Sequence, residues 1–233
     1  MRWGSFGGWF AAGVVAMLVT ACSVLGEDPP APGSPTRAEL ETLLAAVRVI
    51  EARPPLRGYE RGCHSGQACV FGPAWTDAQD APGGHDGCDS RNNVLAKQLR
   101  EVRFRPGTHD CVVATGLLDD PYTGRTIPFD RNDPRAIQID HVYPLAAAWA
   151  MGASNWPLPQ RLRFANDITD NLLAVDGETN EAKGDRTPAD WLPPAHPYRC
   201  FYAGKYLTTA THYNLPITTA DHKTLHRTAT NCP

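Results

Sequence analysis

The sequence has no paired Cys-x-x-Cys and no His-Glu-x-x-His. The first absence argues against a cysteine-ligated zinc site and the second against a zinc hydrolase of the usual helical pattern. A strong charge of either sign is missing too: 22 Lys and Arg stand against 25 Asp and Glu, for a formal net charge of -3 and a pI near 6.2. That balance excludes the broad cationic footprint of a tight, sequence-independent nucleic-acid binder and leaves room only for weak, salt-sensitive contact. No basic motif interleaved with aromatics suggests base reading, and no internal repeat suggests a solenoid. The one long apolar run, Trp9 to Val19, is too short, and the segment leading into it too glycine-rich, to sit comfortably as a permanent membrane helix.

What the N-terminus does contain reads as an export signal over residues 1–21: Arg2, the apolar run, then Val19-Thr20-Ala21-Cys22. Small residues directly before a cysteine resemble a bacterial lipobox, implying cleavage before Cys22 and lipid on its thiol. A plain signal peptide is the alternative. Gly26 to Pro35 is rich in Pro and Gly with no apolar period, so residues 22–35 are expected to form a lipid anchor and extended tether. The expected location is outside the cytoplasm, as a membrane lipoprotein or a secreted protein. Residues 36–233 have the size of one domain. Setting Cys22 aside leaves Cys63, Cys69, Cys88, Cys111, Cys200 and Cys232, an even number that suits three bridges in an oxidising compartment. Proximity suggests Cys63 with Cys69, Cys88 with Cys111, and Cys200 with Cys232.

Along the folded part, Thr36 and Glu39 fit a capping box, and Leu40, Leu43, Leu44, Val47 and Ile50 repeat at helical spacing up to Pro54-Pro55. Gly62 to Cys88 reads as an irregular, bridge-stapled region. A helix is expected from a Ser90 cap through Glu101. The stretch Arg91 to Arg105 holds Arg91, Lys97, Arg100, Arg103 and Arg105 against Glu101 alone, so it either lines a phosphate groove or is a solvated face. Strands are expected over Cys111 to Leu118 and Arg125 to Phe129, and helical segments near Tyr198 to Thr211 and Thr219 to Thr228. His222 and His226 lie four apart with His212 nearby; without a Glu between them, a solvent-facing or capping role is favoured over metal binding.

The stretch from Gln138 to Asp185 carries the residues suited to chemistry. A short β-prone run, Ala136 to Ile139, delivers Asp140 and His141, with Pro144 at a helix start. Leu172 to Val175 reads as a second strand, Asp176-Gly177 as a turn, and Glu178 to Lys183 as a helix start bearing Asn180 and Lys183. Neighbouring residues of a strand point to opposite faces, so Asp140 and His141 are free to do different jobs. A carboxylate with an amide carbonyl suits Mg²⁺ or Mn²⁺, and a neutral imidazole suits removal of a proton from water. Together these are parts for metal-assisted phosphodiester hydrolysis.

Asp140-His141, then Asn171, Asn180 and Lys183, resemble the HNH (ββα-metal) nucleases with Asn at the third motif position. The wording DHVYPL, FAND, NLLAV and KGD is similar to secreted HNH endonuclease family proteins and to the nuclease portion of GmrSD-type restriction enzymes, over roughly Cys88 to Cys232. The resemblance implies an α+β fold, with a ββα-metal finger at about 136–186 embedded in a small, mostly helical, disulfide-stapled domain. It implies His141 as general base, Asp140 and Asn180 as ligands of one divalent ion, Asn171 orienting the loop or His141, and Lys183 contacting phosphate. Weaker phosphate contacts are expected separately at Arg91, in the basic stretch, and at Arg161. The interval from His141 to Asn171 is longer than in compact modules of this kind, so Pro144 to Asn166 is expected to fold away as a helical insertion, with Asn166 and Asp167 left without a role. The expected function is cleavage of nucleic acid, DNA ahead of RNA, by a monomer. The alternatives are an extracytoplasmic binding module of the same fold without turnover, and a different metal-dependent phosphoesterase.

Overall fold

In the computed structural model, Met1, Trp3, Gly4 and residues 29–233 are described. The expected signal run, Arg2 with Trp9 to Val19, and the expected lipid site at Cys22 lie outside the described residues. Among those described, no helix is long and apolar enough to cross a membrane. The last part of the expected tether lies against the folded chain. Ala31 is buried and its N–H donates to the Pro197 carbonyl at 2.9 Å, while Pro35 packs against Gly204.

The first helix, α1 (Arg37–Ala46), starts at a full capping box between Thr36 and Glu39. It stops earlier than the apolar spacing predicts. The β-branched stretch after Ala46 leaves the helix, and Val49–Ile50 form strand β1. Its partner, paired in parallel, is β7 (Ile217–Thr218), far along the chain. Helix α2 (Ser90–Gln98) is also shorter than expected and is capped one residue earlier, by Asp89, whose carboxylate accepts from Asn92 N–H. Its expected end, Arg100 and Glu101, instead opens strand β2 (Arg100–Phe104), which pairs antiparallel with β3 (Val113–Asp119). Strand β4 (Thr126–Asp130) completes this three-stranded meander, so the domain is mixed α/β with more strand than a mostly helical expectation allowed.

A second antiparallel pair, β5 (Ile137–His141) with β6 (Leu172–Asp176), stands between two apolar cores. Leu173 and Val175 face the larger core, which contains Tyr122, Tyr143, Phe164, Tyr202 and Tyr206. Ile137, Ile139, Leu172 and Ala174 face the smaller one, with Val94, Leu95 and Leu99. Burial on both faces explains why β6 reads as a near-continuous apolar run. The free edge of β6 is covered by one side chain of α2: Gln98 donates to the Leu172 carbonyl at 3.2 Å and accepts from the Ala174 N–H at 2.8 Å.

The connection between β5 and β6 contains α3 (Leu145–Ala150), a short 3₁₀ turn (Ala153–Asn155) and α4 (Leu158–Ala165). The expected insertion is therefore helical. Helix α5 (Gly177–Lys183) follows β6 directly, capped by Asp176, which accepts from Thr179 N–H at 2.8 Å. A Cβ on Gly177 would run into the Arg135 carbonyl, so this junction requires glycine for close approach. Helices α6 (Arg199–His212) and α7 (Thr219–Ala229) close the larger core with α1. Three disulfides join Cys63 to Cys69, Cys88 to Cys111, and Cys200 to Cys232, the pairing that proximity suggested.

Candidate functional site

The last two residues of β5 are the hinge of the site. Because side chains alternate along a strand, Gln138 and Asp140 project to the face covered by α5, and His141 projects to the other. Asp140 is 6 % exposed and His141 7 %. The two neighbours in sequence therefore occupy separate, nearly dry environments.

Asp140 is met by Lys183 from α5. The ammonium lies 2.9 Å from Oδ1 and 2.8 Å from Oδ2, and also donates to the His141 carbonyl at 3.1 Å. The ammonium thus makes two hydrogen bonds and a close charge contact, all inside the protein. Lys183 is completely buried, so its Nζ is not at a surface where a phosphate would meet it. Tyr122, from the turn after β3, donates its phenolic O–H to Asp140 Oδ2. Burial holds the Asp140 carboxyl above the usual carboxylate range, with the attraction of Lys183 opposing. Burial, then the nearby Asp140, pushes the Tyr122 phenol well up, which keeps it a donor.

His141 is fixed from two sides. Its Nε2 lies 2.8 Å from the Ala165 carbonyl oxygen at the end of α4, and its ring stacks on Trp75 at 5.9 Å between centroids and 15° between planes. A carbonyl only accepts, so Nε2 carries the hydrogen and Nδ1 is the acceptor of the neutral ring. Among the described residues nothing bonds to Nδ1. Burial, with the charge of Arg61 next, lowers the imidazole to about 3, so the ring is neutral at ordinary pH. Asn171 fastens the chain just beyond: its carbonyl accepts from Val142 N–H, its Oδ1 accepts from Tyr143 N–H at 2.9 Å, and its Nδ2 donates to the Phe164 carbonyl at 3.4 Å.

Asn180 sits one helical turn before Lys183 on the face of α5 turned to β5, donating Nδ2 to Gln138 Oε1 at 2.8 Å. Gln138 in turn donates to Glu181 at 2.9 Å. That bond fixes the Asn180 amide, and no described residue donates to its Oδ1. As a donor set, the Asp140 carboxylate and a free amide carbonyl oxygen on the facing helix fit a small oxygen-loving divalent cation in kind. The carboxylate, however, is already held by an internal cation.

The weaker phosphate contacts expected from sequence have local partners. Arg91 donates to the Pro134 and Ile137 carbonyls at 3.4 and 3.2 Å, and burial lowers its pKa. Arg161 lies over the Trp149 ring at 5.5 Å. Asn166, left without a role by the sequence, donates to the Leu162 carbonyl, and its buried Oδ1 has no partner. Asp167, Asp170 and His212 bring their ligand atoms within 4.8 Å of one another. The Asp167 oxygens already accept from Thr169 N–H, Asp170 N–H and Tyr213 O–H, and Asp170 is 2.5 Å from His212 Nδ1. Sequence reading missed Tyr122, Trp75, Gln138 and Arg61 altogether. The first three act across long sequence intervals, and only their polar or aromatic character hinted at anything.

A curated relative, an uncharacterized secreted protein of Arthroderma benhamiae, is 29% identical over 218 residues, which cover 92% of this chain and 97% of that protein. No solved structure matches. The family model for the C-terminal domain of GmrSD restriction endonucleases matches residues 89–228, a span that contains β5, β6, α5 and every one of Asp140, His141, Asn171, Asn180 and Lys183. With more than half of its length matched, the chain belongs to the family of GmrSD restriction endonuclease C-terminal domains.

Proposed function

We propose that the protein is an exported, metal-dependent endonuclease of HNH type that hydrolyses phosphodiester bonds of nucleic acid, with β5, β6 and α5 as its ββα-metal finger. The observation that carries this reading is the pinned His141 ring, which keeps Nδ1 as an acceptor at the end of the strand whose other face turns the Asp140 carboxylate toward the helix bearing Asn180. Family membership and the three disulfides support it, the first pointing to nucleic acid and the second to an oxidising compartment. The secreted character of the relative supports export; attachment through lipid on Cys22 remains a proposal resting on the sequence pattern alone.

In this mechanism His141 accepts a proton at Nδ1 from the attacking water, while the Ala165 carbonyl and the Trp75 ring hold the imidazole in one orientation. Asn171 is a positioning residue that keeps the backbone after His141 in register with β6. Asp140 and Asn180 would hold one Mg²⁺ or Mn²⁺, which when bound supplies charge stabilisation at the scissile phosphate. Tyr122 and Gln138 orient those two side chains. The phosphate role first read into Lys183 passes to Arg61, which is exposed and whose charge reaches His141. DNA is the expected substrate ahead of RNA, and the active form is a monomer.

The test is incubation of the purified protein with plasmid and with labelled single strands, with Mg²⁺, Mn²⁺ or chelator. Cleavage that needs the ion and falls by ~10²-fold or more in His141→Ala, with the circular dichroism spectrum unchanged, is the expected outcome. Cleavage that survives that substitution removes His141 from the role. A second reading, a binding module without turnover, draws on the low exposure of both Asp140 and His141. It predicts retention of nucleic acid with no product in any divalent ion.

A further inference from the structure

The free acceptor of Asn180 and the ammonium of Lys183 stand one turn apart on one face of α5, both turned to the strand that bears Asp140. An amide held by Gln138 with its carbonyl oxygen unoccupied is half of a cation site. The other half, the Asp140 carboxylate, has both oxygens within 2.9 Å of Lys183 Nζ, which is itself wholly buried and also donates to the His141 carbonyl. An exposed lysine would be a surface charge free to meet phosphate; a lysine sealed in this way is part of the site's internal charge balance.

We propose that Lys183 is the protein's own counter-cation at Asp140, a positioning residue that holds the carboxylate in the metal-free protein and competes with a divalent ion for it. The proposal rests on the reading that Asp140 and Asn180 form the ion site. Two cations cannot both sit on one small, dry carboxylate without strong repulsion, so the ion binds only as the Lys183 contact is given up. Lys183 thereby keeps the buried carboxylate neutralised during folding and export, and lowers the affinity of the site for metal. The lysine at this motif position therefore acts on the ion rather than on the substrate.

The test uses Mn²⁺ alone, with no nucleic acid, on the full chain. Mn²⁺ affinity is measured by calorimetry and the melting temperature is followed with and without the ion, for the unaltered protein, Lys183→Met, Lys183→Gln and the pair Asp140→Asn with Lys183→Met. The expected result is Mn²⁺ binding at least tenfold tighter in Lys183→Met, with a larger Mn²⁺-induced rise in melting temperature than the unaltered protein gives. Lys183→Gln keeps an amide donor toward the carboxylate and supplies the same comparison if the methionine variant does not fold. The doubly altered chain is expected to lose the response, which separates this site from the Asp167, Asp170 and His212 group. If the unaltered protein binds Mn²⁺ through Asp140 and the lysine variants bind it equally or more weakly, the competition does not exist while the ion site stands. If neither the unaltered protein nor any variant responds to Mn²⁺, the ion site itself fails and the competition with it.

Discussion

Two aspartate–cation pairs in this molecule have nearly the same geometry and opposite physical character. On the outer meander, Arg100 grips Asp119 at 2.6 and 2.8 Å, with both side chains about half exposed. Between β5 and α5, Lys183 grips Asp140 at 2.9 and 2.8 Å, with both side chains in the dry interior. At the surface the bonds from Arg100 and then Thr126 win, and the Asp119 carboxyl is lowered to about 2. In the interior loss of water wins, and the Asp140 carboxyl is raised despite its partner. Distance alone says nothing about what a pair contributes; the solvent around it decides.

The largest test of that contrast is Lys183→Met in metal-free buffer, which leaves a buried carboxylate without its cation, held only by the Tyr122 hydroxyl. We expect a loss of ~3–5 kcal/mol in unfolding free energy, read by denaturant titration with the disulfides intact. A loss under ~1 kcal/mol would place the two pairs in one class. Next in size is Gly177→Ala. The added methyl would press on the Arg135 carbonyl and shift the helix that delivers Lys183 and Asn180, at a cost of about 1–3 kcal/mol in the same titration. A neutral or stabilising outcome would mean that the junction gives way freely.

The smallest effect is expected for Arg100→Ala, a slight loss typical of an open surface pair that fades further in high salt. Its signature lies in pH. A carboxyl lowered in the folded state contributes stability that is full above its unfolded value near ~3.9 and is lost as pH falls through about 2. Arg100→Ala is therefore expected to flatten a slight acid destabilisation in that window, discounted for the open solvent around the pair. An acid limb unchanged by the substitution would show that Arg100 is not its source.

The contrast also explains what the sequence disclosed. The order Asp140, His141, Asn171, Asn180, Lys183 was legible, and so were the strands carrying it and the helix after them, because local apolar runs and the Asp176-Gly177 junction mark them. The early end of α1 was not, since Val49 and Ile50 leave the helical pattern for partners at Ile217 and Thr218, which no local window contains. The strand β2 was hidden inside a charged run that reads equally well as helix. Surface lysines far outnumber buried ones, so Lys183 read as a phosphate contact. Its burial depends on Tyr122, the larger core and the fold of α5 onto β5, none of which is a property of its neighbours in sequence.

Gln98 has a further consequence. By donating to Leu172 and accepting from Ala174, its amide imitates the backbone of an absent third strand and fills one rung of the β6 ladder. A two-stranded ribbon with an open rim is a template on which a second molecule can dock. Here a single side chain blunts that rim, so the ribbon bearing the reactive pair is shielded from edge-to-edge aggregation without the addition of any strand.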